Sequence, residues 1–353
     1  MASTAYPVNH PLAVKLWARK LFHEALKETY FARFMGKSTS SLIQIKDDLT
    51  KAAGDRIRVG LRMLLSGEGV IGDGTLEGNE EALSTFYDDI LINQLRHATR
   101  SAGKMSEQRV PFSVREEGKD GLRDWWQDRL DTWFFNQLCG FTAQTDVRYT
   151  GMMATLAPTA GNHVWAGSAT NDQGLGSGDV FSLSIIDKCV ERAKTMSPMI
   201  RPIKIKGEDK YVMFLHPYQV TDLRTNTNSG QWLDIQKAAM AGGKVSNNPI
   251  YSGALAEYNG TIMHEAVRIT NGVNSSSGAV ATSVRRAVFC GAQACLMGYG
   301  KGSADGEMSW VEELFDYKNQ LGVSAGMIAG LKKTQFNGKD FGTIVASTYA
   351  VAH

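Results

Sequence analysis

The chain has 353 residues, of which 43% are hydrophobic and 21% are charged. These proportions are typical of a globular protein with one large mixed fold or two lobes, and they exclude a disordered or fibrous chain. The formal net charge of only +2 argues against a protein dedicated to coating nucleic acid, whose surface would be strongly basic. The 36 glycines beside 8 prolines indicate many turns and bent strands.

The cysteines and the N-terminal sequence bear on the cellular compartment. No CxxC pair and no histidine at metal-ligand spacing accompanies the cysteines, which are Cys139, Cys189, Cys290 and Cys295. We therefore expect buried, reduced thiols. The first residues lack the basic and apolar regions of a secretory signal, and no run of about 18 apolar residues predicts a membrane span. These observations favour a protein that is made and kept in a reducing cytoplasm.

The N-terminal segment is basic and amphipathic. Residues 1–46 contain seven lysines or arginines against two glutamates. Apolar residues follow Pro11 at spacings of three to five, which predicts an amphipathic helix from Pro11 to near Gly36. Two roles stay open for this helix: it packs on the core of its own chain, or it docks on a neighbouring chain.

The next segment predicts an extended hairpin. Residues 55–65 alternate between charged and apolar side chains, which is typical of a strand. Residues 66–82 contain five glycines, five acidic residues and no lysine or arginine, and residues 83–96 predict a returning strand. An isolated hairpin is only marginally stable in water. We therefore expect a neighbouring subunit to cover this one.

A long aromatic helix is predicted between Gly118 and Gly140. One apolar side chain recurs every four residues, at Leu122, Trp126, Leu130, Phe134 and Leu138. We expect these five residues to form the core face of the helix. The solvated face is expected to carry Arg123, Asp124, Asp128, Arg129 and Asp131.

The remaining sequence predicts a mixed α+β body. Helices are predicted over 181–196 and 217–226, after a glycine-rich loop over 161–178. Strands are predicted over 203–205, 211–215, 260–264, 267–270 and 284–289. Residues 226–253 predict a polar loop, residues 290–300 are expected to begin as a helix, and residues 308–352 predict strands and turns.

No local motif predicts catalysis, a cofactor or a metal site. The sequence GLGSGD at 174–179 lacks the lysine of a phosphate-binding loop, and the seven histidines form no HxxxH or HxH pair. Adjacent acidic residues are interpreted as solvated or inter-subunit faces; they are Asp47–Asp48, Glu80–Glu81, Asp88–Asp89, Glu116–Glu117 and Glu312–Glu313. Because the conspicuous features all concern contact with other chains, an assembly subunit is favoured over an enzyme.

The order of these segments resembles the major capsid proteins of tailed bacteriophages with the Hong Kong 97-type fold, in the podophage "phage capsid-like" branch. The resemblance covers nearly the whole chain. It rests on the collinear segments LWARKLFHEALKETYFARFMG, KYVMFLHPYQVTDLR, NPIYSGALAEYNGTIMHE, RRAVFCGAQACLMGYG and EELFDYKNQLGVSAGMIAGLKKTQFNGKDFGTIVAST.

The resemblance implies a division of the chain into the parts of that fold. Residues 1–53 would be the N-terminal arm, and residues 54–100 would be the extended loop that lies over an adjacent subunit. Residues 101–199 would form the peripheral domain around the long spine helix, and residues 306–353 would complete it. Residues 200–305 would form the axial domain.

The resemblance also implies a function and partners. Copies of the chain would form pentamers and hexamers of an icosahedral head around double-stranded DNA, which they would contact weakly and without sequence specificity. A separate scaffolding protein and a portal protein would be partners, a decoration protein stays open, and no membrane is expected. The chain would be a virion component that is assembled in the host cytoplasm.

The expected inter-subunit contact joins the basic arm to the acidic loop. On the arm the candidate residues are Trp17, Arg19 and Lys20, and on the loop they are Glu68, Asp73, Glu77, Glu80 and Glu81. Three alternatives stay open: an encapsulin-like compartment shell, a tail or connector component, and a cytosolic enzyme.

Overall fold

The computed structural model describes residues 30–50, 53–109, 113–205, 207–226, 254–303 and 308–353. Within these residues, α-helices are α1 (Lys104–Gln108), α2 (Val114–Cys139), α3 (Leu183–Thr195) and α4 (Pro217–Thr225). The strands are β1 (Met35–Gly36), β2 (Ile43–Lys46), β3 (Arg56–Arg62), β4 (Thr85–Leu91), β5 (Asn93–Arg100), β6 (His163–Trp165), β7 (Ile203–Ile205), β8 (Glu208–Leu215), β9 (Ala254–Tyr258), β10 (Thr261–Glu265), β11 (Asn271–Val273), β12 (Val280–Cys290), β13 (Cys295–Tyr299), β14 (Ser309–Phe315), β15 (Gln320–Lys333), β16 (Gln335–Phe336), β17 (Lys339–Asp340) and β18 (Thr343–Tyr349). None of the helices described is long and apolar enough to cross a membrane.

The first sheet is organised around the 14-residue strand β15. Its strand order is β1-β2-β13-β15-β14, and β5 also pairs with β15. Strands β13, β14 and β5 all run antiparallel to β15. Strand β15 therefore connects β5, which directly follows β4 in the chain, with β13 and β14.

The central part of the second sheet is buried on both faces. Its order is β6-β18-β12-β8-β10-β9, with β11 on β12 and β7 on β8. On β8, Tyr211 and Met213 pack in the cluster that includes α3, whereas Val212 and Phe214 pack in the cluster that includes α2. A strand that is covered on both sides needs apolar residues at consecutive positions, which explains the run Tyr211–Leu215.

The long helix α2 has defined signals at both ends. Ser113 caps its N-terminus by accepting a hydrogen bond from the Glu116 backbone N–H at 3.4 Å. Gly140 ends it in the left-handed conformation, with φ of 62°. The helix begins before Gly118, contrary to the sequence prediction. Gly118 allows close approach to the first sheet, because a Cβ there would lie 2.9 Å from Thr99 Oγ1 and 3.1 Å from Val323.

Helix α2 packs against both sheets through an aromatic core. The five residues predicted for its core face are all buried, each at most 1% exposed: Leu122, Trp126, Leu130, Phe134 and Leu138. Phe134 stacks on Phe31 at 4.8 Å and meets Phe214 of β8 edge-on at 5.7 Å.

Two residues assigned to the solvated face of this helix are instead buried. Arg129 is 9% exposed and Asp131 is 7% exposed. The Arg129 guanidinium lies 3.8 Å from the ring centroid of Tyr149 and donates to the Arg148 carbonyl at 3.3 Å. Asp131 accepts a hydrogen bond from the Tyr30 backbone N–H, and burial raises the pKa of its carboxyl to about 6. Both predictions were wrong because tertiary partners cover these polar groups.

Other elements differ from the sequence expectation. The single returning strand predicted over 83–96 is divided at Ile92, because β4 pairs with β3 whereas β5 pairs with β15. Residues 267–270 form a turn rather than a strand. The predicted helical start of 290–300 is a turn followed by β13. The predicted helix over residues 11–29 and the polar loop over 227–253 lie outside the described residues, and Tyr30–Phe34 form a 3-10 helix.

Each of the two sheets combines elements from both sides of the expected domain boundaries at residues 200 and 305. Helix α3, expected in the peripheral part, packs with β8, β12 and β18 of the second sheet. Strand β13, expected in the axial part, belongs to the first sheet, and the near-terminal β18 belongs to the second. These pairings depend on long-range contacts that element order does not show, and the division into domains stays a prediction.

Two acidic pairs interpreted as solvated faces contain a buried member. Asp88 is 6% exposed and bonds to Lys332. Glu312 is 8% exposed and accepts from Arg115 Nη2 at 2.6 Å and from Trp310 Nε1 at 2.9 Å. Each carboxylate is buried because a basic partner distant in sequence supplies its hydrogen bonds.

Candidate inter-subunit loop

An antiparallel hairpin forms the arms of the extended loop. Strands β3 and β4 pair in continuous register from Arg56↔Leu91 to Arg62↔Thr85 and form a separate two-stranded sheet. Every residue from 64 to 85 is exposed. The predicted hairpin is confirmed. Its end against the body, the loop root, comprises β3, β4 and Ile92. Its exposed end, the loop tip, comprises residues 63–84.

The loop root packs on glycines of the first sheet. Ile57 and Ile92 are buried in a small cluster of their own. A Cβ at Gly298 would lie 2.9 Å from Ile57 and 3.2 Å from Ile92. A Cβ at Gly330 would lie 2.0 Å from the Leu91 carbonyl oxygen, so any side chain there would displace the strands. Glycine on β13 and β15 therefore sets how closely the root approaches the sheet.

Charged contacts also hold the root. The Lys332 ammonium binds the Asp88 carboxylate, which also accepts from the Gln335 backbone N–H at 3.1 Å. Across the hairpin, Arg58 donates to both oxygens of Asp89 at 2.8 and 3.0 Å. These bonds from Arg58 lower the pKa of the Asp89 carboxyl. Asp88 therefore binds the body of the molecule through Lys332, whereas Asp89 binds the paired strand β3 through Arg58.

The five acidic candidate residues of the tip have different roles. Glu81 accepts hydrogen bonds from the backbone N–H groups of Ser66 at 2.8 Å and Gly67 at 2.6 Å. These bonds lower the pKa of the Glu81 carboxyl. Glu80 accepts from the Gly78 backbone N–H at 2.8 Å. All five acidic residues are exposed to solvent. Glu81 and Glu80 also order the tip itself, which leaves Glu68, Asp73 and Glu77 as the acids available for a partner.

The tip also exposes apolar side chains that the sequence argument did not select. Leu64 is 92% exposed and Ile71 is 93% exposed, and they are accompanied by Leu65, Leu76 and Leu83. The recurrence of apolar residues through the glycine-rich, acidic residues 63–84 is the sequence signal that could have identified them. Contiguous exposed apolar surface marks a contact site, so apolar as well as acidic groups are available for a partner.

The other candidate residues lie elsewhere. Trp17, Arg19 and Lys20 lie outside the described residues. The five core residues of α2 do not touch the tip; they support the sheet on which the root packs.

Within the described part of the chain, no group of three His, Cys, Asp or Glu side chains is suited to a metal ion. The four cysteines are buried and free, as predicted.

A buried ionic group that sequence reasoning missed fixes the end of α2. Arg286 on β12 donates to the Gly140 carbonyl at 2.7 Å and binds Asp172 at 2.7 Å. Asp172 also accepts from Trp165 Nε1 at 3.0 Å. Asp172 lies in the segment 161–178, which was predicted only as a loop. Because Asp172 and Arg286 are 114 positions apart in the sequence, no local pattern predicts this ion pair.

Comparison with known proteins places this architecture in a family. The family model described as "Phage capsid protein" matches residues 5–352. A major capsid protein from Pseudomonas phage KPP25 is 29% identical, with 93% of each chain covered. The capsid of Ralstonia phage GP4 is 32% identical, covers 99% of each chain and superposes with a TM-score of 0.80. The Cyanophage Pam1 capsid has a TM-score of 0.73 at 21% identity, over 93% of this chain and 94% of that chain.

The fold is that of the Hong Kong 97-type shell proteins. The chain belongs to the phage capsid protein family, and its function is that of a phage major capsid protein, a structural component of the virion. An encapsulin complex from Synechococcus elongatus also shares the fold, with a TM-score of 0.53 at 9% identity. That likeness shows the fold alone, so the capsid assignment is favoured over an encapsulin shell.

Proposed function

We propose that many copies of this chain assemble into the pentamers and hexamers of an icosahedral phage head around double-stranded DNA, by contact between subunits and without catalysis. The observation that carries the proposal is the extended loop, whose root is fixed and whose tip exposes apolar and acidic side chains together. A two-stranded hairpin is marginally stable alone. Coverage by an adjacent subunit would supply the missing burial.

The proposal assigns parts of the chain to parts of the shell. Residues 1–53 are the N-terminal arm and residues 54–100 the extended loop. The peripheral domain comprises residues 101–199, which include α2, together with residues 306–353, and the axial domain comprises residues 200–305.

The arm and the loop would attract each other between copies. The arm residues Trp17, Arg19 and Lys20 supply positive charge and an aromatic ring, and the tip supplies Glu68, Asp73 and Glu77 as exposed acids. Complementary charge sets register and association rate more than affinity. Repeated contacts between different surfaces of identical chains generate closed rings and shells.

Further partners complete the proposed assembly. A separate scaffolding protein would guide shell closure, and a portal protein would occupy one vertex. Packaged DNA would be contacted weakly and without sequence specificity, which is consistent with the net charge of +2. The proposal leaves the presence of a decoration protein open, and assembly would take place in the host cytoplasm.

Removal of the loop tip tests the proposal. Residues 66–82 are replaced by a short glycine-serine linker, and the products are examined by negative-stain microscopy with and without a scaffolding protein. We expect a folded chain that forms no stable shells. Ser276→Ala, in an exposed turn beside the second sheet, is the matched control and should assemble normally. Normal shells from the tip deletion would contradict the role given to the loop.

A further inference from the structure

A small pocket lies at the loop root, between β3 and the body of the molecule. Its volume is about 120 Å³, and its apolar walls come from Val59, Leu61, Leu296, Phe336 and Phe341. The two phenylalanine rings meet edge-on at 5.2 Å. An apolar cavity of about 150 Å³ accepts a benzene-sized group. This pocket therefore has the size and lining for one aliphatic side chain.

A buried hydroxyl in the same pocket lacks a hydrogen bond. Thr334 lines the pocket and is 1% exposed, and its Oγ1 has no partner among the described residues. A buried hydroxyl without a partner is unfavourable. Rotation of the Thr334 side chain towards the pocket would bring this hydroxyl against a backbone carbonyl of a peptide segment that enters it. The pocket thus lacks both an apolar and a polar partner in the single chain.

The rim of the pocket is positively charged. Arg201 lines it and is exposed. Its guanidinium donates to Gln293 and lies 5.8 Å from the ring centroid of Phe341. Arg62, directly after Leu61 on β3, is also exposed. An apolar side chain flanked by acidic residues would match both the walls and the rim.

The loop tip carries such a segment. Ile71 is 93% exposed and lies between Gly69 and Gly72, which have φ of 72° and 64°. Glu68 and Asp73 flank it and are exposed. The glycines occupy the left-handed region that other residues avoid, and Ile71 is the most exposed apolar side chain between them.

The tip and the pocket of one chain are kept apart by the paired strands. The seven residues of β3 span about 20 Å in extended conformation. We propose that the pocket at the loop root receives Ile71 from the loop tip of a second copy of this chain, with Arg201 facing the acidic residues of that tip. The proposal rests on the proposed function and specifies where the loop docks. A tip-to-root contact joins two different surfaces and therefore propagates around a ring.

Disulfide trapping tests the contact. Ile71→Cys and Thr334→Cys are made in separate full-length chains, which are co-assembled and oxidised. A disulfide requires Cα atoms about 4.4–6.8 Å apart, so it reports close approach. The native cysteines are all buried and should contribute little background. We expect covalent dimers on a non-reducing gel, each containing one chain of either variant.

Three results define the outcome of this experiment. Pairing Ile71→Cys with Ser276→Cys, in the exposed turn far along the chain, is the matched control and should give no dimer. A second assembly uses a double variant that carries Ile71→Cys and Thr334→Cys in the same chain. A disulfide confined to single chains of this double variant would show that each tip fills its own pocket, and it would overturn the proposal. Well-formed shells without a disulfide between Ile71→Cys and Thr334→Cys would also overturn it, while leaving the capsid function intact.

A charge exchange covers the case in which the cysteine variants fail to assemble. Arg201→Glu places like charges at the contact and should lower the yield of shells by at least about tenfold. Asp73→Lys in the same chain should restore the yield. Unchanged yield from Arg201→Glu, or no rescue by Asp73→Lys, would contradict the proposal. Absence of shells from the unmodified chain would overturn the proposed function and this contact together.

Discussion

The two ends of the extended loop differ in what determines their conformation. At the root, buried isoleucines, glycines without room for a side chain and the Lys332–Asp88 pair fix the chain against the first sheet. At the tip, every residue is at least partly exposed, and Glu81 supplies local order through backbone hydrogen bonds. Changes at the root should therefore reduce stability and assembly together, whereas changes at the tip should reduce assembly alone.

The largest effect on stability is expected in the body that supports the root. Trp126 is completely buried, so Trp126→Ala should lower the free energy of unfolding by about 3–5 kcal/mol through lost burial and a residual cavity. Denaturant unfolding of the unassembled chain measures this. Trp125→Ala, on the half-buried neighbouring position, is the control and should cost clearly less. A Trp126→Ala chain that unfolds at the same denaturant concentration as the parent would contradict the packing described.

The charged contact at the root should come next. Lys332→Met leaves the Asp88 carboxylate buried without its cation, and we expect a loss of about 3 kcal/mol together with poor assembly. Adding Asp88→Asn removes the orphaned charge and should recover most of the stability. Equal stability of the single and double variants, measured by denaturant unfolding, would show that the pair does not fix the root.

A smaller stability effect is expected where the backbone of the root meets β15. Gly330→Ala would force the new methyl group against the Leu91 carbonyl, and displacement of the strands should cost about 1–3 kcal/mol. The same displacement changes the direction of the loop, so shell yield should fall more than stability does. Gly338→Ala, where a Cβ would have nothing within 4 Å but φ is 69°, is the control for backbone strain without a clash.

The smallest effect on overall stability is expected at the tip. The pKa of Glu81 is lowered in the folded chain, so its contribution is present above the ordinary glutamate pKa of 4.5 and is lost as pH falls through the folded value. Limited proteolysis within residues 63–84 should accelerate on acidification, with global unfolding unchanged. Glu81→Gln should cleave rapidly at neutral pH. Glu77→Gln is the control, and equal cleavage of the two variants would contradict the role of Glu81.

The sequence predicted the parts of the fold that depend on local pattern. The four-residue repeat of α2 and the two-residue alternation of β3 are periodicities that any segment carries by itself. The hairpin and its acidic tip followed from charge and glycine content. These features were sufficient to indicate an assembly protein with a protruding loop.

The remainder could not be predicted because it depends on residues far apart in the chain. The partners Asp88 and Lys332 are separated by 244 positions, so no local pattern distinguishes Asp88 from a solvent-exposed acidic residue. Gly118 looked like a helix boundary because its close approach to Thr99 and Val323 exists only after folding. The pocket at the root likewise combines residues of β3, the turn before β13 and the hairpin β16–β17.

The direct succession of β4 and β5 has a mechanical consequence. The strand that returns from the tip passes through Ile92 and immediately pairs with β15 over eight residues, from Asn93↔Ala329 to Arg100↔Gly322. A pull on the tip along the strand direction would load these hydrogen bonds side by side, so that they must shear together rather than separate one at a time. Tension on the loop is thereby transferred into the longest strand of the first sheet instead of being concentrated at a flexible joint.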